Sequence, residues 1–93
     1  MSVKFTHMET VAMIILYREV KPIKNGWCSR CVNLGLAAHG FSPEVADKNL
    51  ERVVRLFFAP AQREGTLVDE LAALGLEPIE DGENLQFVFD ASH

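Results

Sequence analysis

The chain is expected to fold as an α+β domain: a small antiparallel sheet in βββα order, then a short helix and a last strand. Three observations lead there. Residues 10–39 hold three short stretches suited to strands, separated by turn signals. From Val45 to Ala61 the apolar residues instead recur at helical period, in one broad stripe through Leu50, Val53, Val54, Phe57 and Phe58. The 93 residues are 48% hydrophobic, enough for one folded domain over 1–93 and too much for disorder. At this size the core is thin, so pairing with another chain would add stability.

Residues 1–9 read as a flexible arm or the start of a strand. Residues 10–20 are β-branched and apolar, and the centre, Val11 to Tyr17, runs continuously apolar rather than alternating. Such a strand is expected to be covered on both faces: on one by the long helix, on the other by the later helix or by a second subunit. Asn25-Gly26 marks the turn that follows. Residues 27–34, from Trp27 to Leu34, read as the second strand, Gly35 as its break, and residues 36–39 as a short third strand. Ser42 is a good N-cap, because its hydroxyl can accept from an orphan N–H of the first turn. Pro43 suits the first helical position, where no donor is needed. Pro60 is expected to stop or kink the helix near Ala59. Thr66 would cap a second helix running to Leu74, with Gly75 closing it. Leu85 to Phe89 form the last strand, and residues 91–93 a tail. That strand, or the one at Val11–Tyr17, is expected to pair or pack across a homodimer.

The net charge is −4, which argues against a broad phosphate-binding surface and hence against direct nucleic-acid binding. The second helix carries Asp69 and Glu70 and no base, the wrong sign for a recognition helix. The longest apolar run is far too short to span a membrane. The N-terminus lacks a signal-peptide layout and there are only two cysteines, so a cytoplasmic protein is expected.

From Gly26 to Phe58 the chain resembles the HicB-like antitoxin family. The resemblance rests on Gly26-Trp27, then Asn33-Leu34-Gly35, then His39-Gly40-Phe41-Ser42-Pro43-Glu44-Val45-Ala46, with Asn49-Leu50 in the helix that follows. It covers about a third of the chain. Phe41 stands where the family usually has Asp, and Val45 where a capping-box Glu is expected. The resemblance implies a truncated ribonuclease-H-like fold without that enzyme's catalytic carboxylates. It also implies an antitoxin role, the masking of a small, basic, HicA-like RNA-cleaving toxin. No DNA-binding module is found, so the chain would be a stand-alone core domain.

Partner-binding candidates are Trp27 and Arg30, residue types favoured as interface anchors, and His39, a possible pH-sensitive contact. Cys28 and Cys31 form a CxxC. A metal site there would need two further ligands, with only His7, His39 and His93 to draw on. Inside a strand the two thiols point to opposite faces, with Cα atoms about 10 Å apart, too far for a disulfide. Glu77, Glu80, Asp81 and Glu83 read as an acidic, solvated turn. No nucleophile, base and orienting group can be assembled, so neither enzyme activity nor a cofactor is expected. Beside the antitoxin role stand two alternatives: a self-associating domain, and a metal or thiol site at Cys28 and Cys31.

Overall fold

Local chemistry sets the turns. The computed structural model describes residues 11–78, 82 and 84–91. Strand β1 (Val11–Ile23) and strand β2 (Gly26–Cys31) form a hairpin closed by the pair Ile23 and Gly26. Its turn needs a positive φ, and Asn25 supplies it at 71°. Gly35 ends the next turn at φ 71°, its N–H bonded to the Cys31 carbonyl at 2.9 Å. The expected second strand therefore stops three residues early, because residues 32–35 turn before strand β3 (Leu36–Gly40). Helix α1 (Pro43–Glu64) starts at Ser42, whose Oγ accepts from the Val45 N–H at 3.2 Å.

Pro60 does not end α1, which runs on to Glu64. Proline removes one donor and crowds the preceding turn, but Pro60 lies on the exposed side, where water can serve the freed carbonyl. Gly65 closes the helix instead at φ 73°, with the Thr66 N–H returning to the Ala61 carbonyl at 2.8 Å. Helix α2 (Leu67–Ala73) follows at once. Thr66 makes no side-chain cap; its hydroxyl points back to the Ala61 carbonyl at 3.5 Å. Gly75, at φ 74°, closes α2 as expected, and Leu76 N–H reaches the Leu71 carbonyl.

Strand β4 (Asn84–Ala91) completes a four-stranded sheet of order β3-β2-β1-β4. The α+β class and the βββα order are as expected. The sheet is mixed rather than wholly antiparallel, because β4 runs parallel to β1. Parallel neighbours need a long crossover, which α1 and α2 provide. Ala91, expected in the tail, is the last residue of β4. The expected arm at 1–9, together with His7, His93, Glu80, Asp81 and Glu83, lies outside the described residues.

One core joins these elements. Ala12, Ile14 and Leu16 of β1 meet Leu50, Val54, Phe58 and Ala61 of α1, with Leu67 and Leu71 of α2 and Cys31 of β2. Leu50, Val54 and Phe58 are fully buried, each contributing about 1.5–3 kcal/mol before entropy is counted. Both helices thus serve the same sheet face. The second helix does not cover the other face, where Ile15, Tyr17 and Val88 stand 42%, 45% and 51% exposed. No described helix is long and apolar enough to cross a membrane.

Candidate partner-binding surface

Alternation along β2 divides the candidate residues. Ser29 and Cys31 are fully buried, so Trp27, two residues earlier, shares their face and is partly buried. Arg30 and His39 lie exposed on the opposite face. Arg30 Nη2 donates to Glu19 Oε1 at 2.9 Å across the β1–β2 pair. His39 stands beside Cys28 in the register. Its carbonyl accepts from Asn49 Nδ2 at 2.7 Å, which ties β3 to α1. The fold therefore brings Arg30 and His39 to one face and leaves Trp27 on the other.

His39 also borders a cleft of about 390 Å³ where the β1–β2 turn meets the start of α1. Ile23 and Lys24 line one side, Val45 and Asn49 the other. Phe41 forms the rim, 90% exposed. Its position follows from its neighbours. Gly40 packs so closely on the helix that a Cβ there would stand 2.5 Å from the Ala46 nitrogen. Ser42 holds an extended φ of −137° to cap the helix. A hydrophobic residue just before an N-cap commonly folds back onto the fourth helical residue. Here that residue is Ala46, buried at 0%, yet Phe41 stays in solvent. Ile23 and Val45 add further exposed apolar surface beside it. Composition and period did not single out Phe41; the available signal was an aromatic residue at a polar loop position, between a glycine and a cap.

On the inner face a polar cluster joins three elements. Asp47 of α1 accepts from Ser29 Oγ at 2.7 Å and pairs with Arg18 Nη1 at 3.0 Å. The Arg18 guanidinium also lies 5.9 Å from the centre of the Phe89 ring. Arg55 stands similarly over Phe87, at 5.2 Å. These contacts fix the helix on the sheet and hold its N-terminal end, and hence the cleft, in place. Cys28 and Cys31 are free thiols on opposite faces of β2. Burial pushes the Cys31 thiol pKa up from its ordinary value, against smaller lowering effects of the Leu34 and Asn33 backbone and of Arg30. Among the described residues no three His, Cys, Asp or Glu side chains are grouped to hold a metal ion.

Comparison with protein families, with curated proteins and with solved structures finds no match for this chain.

Proposed function

We propose that this chain is a HicB-like, antitoxin-type binding module, a truncated ribonuclease-H-like domain that masks a small, basic, RNA-cleaving toxin. The observation that carries the proposal is Phe41, a large aromatic left 90% exposed on the rim of an apolar cleft. Interface anchors are typically aromatic residues at the centre of a patch with polar surroundings. His39, Lys24 and Asn49 supply that polar border. The βββα order agrees with the fold the resemblance implies. A net charge of −4 favours encounter with a basic partner. The module acts by covering its partner, in the cytoplasm, with no cofactor, no catalytic step and no nucleic-acid contact of its own.

A second reading, self-association, draws on a different observation, the uncovered apolar residues Ile15, Tyr17 and Val88. The two are separable. Native mass spectrometry of the tagged protein, purified gently from its own cells, is expected to find a complex with a small basic protein. That protein should cleave RNA alone and stop when this chain is added back. Phe41→Ser should weaken the complex at least about tenfold, the loss of about 1.4 kcal/mol of binding, with no change in melting temperature. A metal-free homodimer and no other partner would overturn the toxin-masking role, as would a captured protein whose RNA cleavage this chain leaves untouched.

A further inference from the structure

The sheet is staggered, and β1 is the strand that shows it. Its first part, Val11 through Arg18, pairs with β4. Its second part, Arg18 through Ile23, pairs with β2 on the other side. The two ladders overlap only at Arg18. On the β2 side, residues 11–16 therefore have no described strand beside them. The direction of the main chain there can be read from Tyr17. Its N–H donates to Asn33 Oδ1 at 2.7 Å and its carbonyl accepts from the Val32 N–H at 2.8 Å, both in the turn that follows β2. Alternation then aims the N–H and C=O groups of Ile15, Met13 and Val11 at the same open side.

The side-chain pattern changes at the same point. Where β2 is present, the outer face of β1 carries Glu19 and Lys21, both exposed. Where β2 is missing, it carries Met13, Ile15 and Tyr17, with Val88 of β4 beside Ile15. A strand with one face in water carries its polar residues on that face; on its outer face β1 is apolar at Met13, Ile15 and Tyr17, then charged at Glu19 and Lys21 before ending at Ile23.

From this we infer that two copies of the chain pair through the open edge of β1, antiparallel, about a two-fold axis at Met13. The inference rests on the self-association reading and not on the toxin-masking one. In a strand that pairs with its own copy the residue on the axis faces itself, so a charge there would face a like charge and destabilise the pair. Residues 11–17 contain none of the chain's nine basic or thirteen acidic residues. The other edges are poorer. β3 has five residues. On β4 the Leu85 N–H is already taken by Gln62 Oε1 at 2.8 Å, and the strand carries Asp90.

The outward-facing main-chain groups of residues 11, 13 and 15 fix the register. Met13 faces the partner's Met13, and Val11 faces the partner's Ile15, giving about six main-chain hydrogen bonds. On the helix side Ala12 then falls opposite the partner's Ile14, small against large. A contact of this length buries on the order of 500 Å² per protomer, below the usual ~800 Å² of stable complexes. The dimer is therefore weak, forming at micromolar concentration and above.

Native mass spectrometry and light scattering across a dilution series, from ~100 µM downward, test this. A dimer is expected at the top of the series. Met13→Lys and Met13→Glu, each at the axis and each on the outer face, should be monomers when pure. Mixed in equal amounts they should form a heterodimer, while Met13→Leu keeps the homodimer. Amide exchange of wild-type Val11, Met13 and Ile15 should slow at high concentration and speed up on dilution, which requires no variant to fold. A wild-type dimer that Met13→Lys leaves intact would overturn this edge but keep self-association. A monomer at every concentration would overturn both, and so would amides whose protection does not change with dilution.

Discussion

Removing Asp47 should loosen the helix from the sheet in a way that names its cause. Asp47→Ala takes away two contacts at once. Ser29 is 0% exposed, so its hydroxyl, bonded to Asp47 at 2.7 Å, would be left buried without a partner. Stranding a buried hydroxyl costs about 1–3 kcal/mol. The Arg18–Asp47 pair is 27% and 28% exposed, so solvent screens it and its loss adds about 0.5–1 kcal/mol. Together Asp47→Ala should cost about 1.5–4 kcal/mol. Asp47→Asn keeps an acceptor for Ser29 and should cost about 1 kcal/mol. The decisive measurement is Ser29→Ala in both backgrounds, by equilibrium urea unfolding with the slope held as a control. In the parent, Ser29→Ala loses one hydrogen bond and should cost about 1 kcal/mol or less. In the Asp47→Ala background it removes a stranded hydroxyl and should be neutral or stabilising. Equal costs in the two backgrounds would mean that the residues are not coupled and that the cluster does not clamp the helix.

Two further changes address the loop and the core. Gly40→Ala places a Cβ 2.5 Å from the Ala46 nitrogen and 2.8 Å from Val45 Cγ1, and backbone cannot yield cheaply. It should cost about 2–3 kcal/mol by overpacking, read as a clear drop in urea midpoint. Gly35→Ala, with open space around it, should cost less, only the strain of its φ of 71°. The Cys31 thiol has its pKa raised by burial, so the folded state holds its proton more tightly than the unfolded chain does. Its contribution to stability is complete below the unfolded thiol's pKa, about 8.5–9. Above that the unfolded state ionises first, and stability falls as pH climbs toward the folded value, by at most about 1.4 kcal/mol per pH unit. Cys31→Ala should flatten that alkaline slope in pH-dependent urea unfolding, and Cys28→Ser should leave it unchanged.

Local signals were legible from residues; long-range ones were not. Asn25-Gly26, Ser42-Pro43 and Gly75 each stand where a turn or a cap forms, because each supplies a backbone conformation or an acceptor that short-range geometry demands. The period of the apolar residues in α1 gave its buried face through Leu50, Val54 and Phe58, but Phe57, read into the same stripe, stands 39% exposed. Pro60 misled because its cost depends on which side of the helix it meets, and that is a property of packing. The parallel partner of β1 could not be read, since alternation in β4 is the same whichever way its neighbour runs. The split at Arg18 was equally hidden. A continuous apolar run says that both faces of a strand want cover, and only the register shows that one face and one edge still lack it. In the site, alternation already set Trp27 and Arg30 on opposite faces of β2; which of those faces the helices cover was not legible, because that depends on packing across the sheet.

In the proposed binding module, the stretch Gly40-Phe41-Ser42 would separate stability from recognition on adjacent residues. Gly40 is held to glycine by the approach of the α1 backbone. Ser42 is held to a cap by the orphan N–H of Val45. Between two such constraints the loop has almost no conformational freedom, so the residue in the middle is aimed without making contacts of its own. Phe41 buries too little to stabilise the fold, and its exposure works against solubility. A polar residue would satisfy every local requirement at that position better. What an aromatic ring gains there is a fixed direction and a large apolar surface at little entropic cost on binding, because the loop is already ordered. β1 divides in the same way: Ala12, Ile14 and Leu16 belong to the core, while Ile15 and Tyr17 stand 42% and 45% exposed on the other face. Two surfaces, one at the helix cap and one at the strand edge, thus carry exposed apolar residues. They lie on different parts of the sheet, so a second copy on one would leave the other open to a different partner.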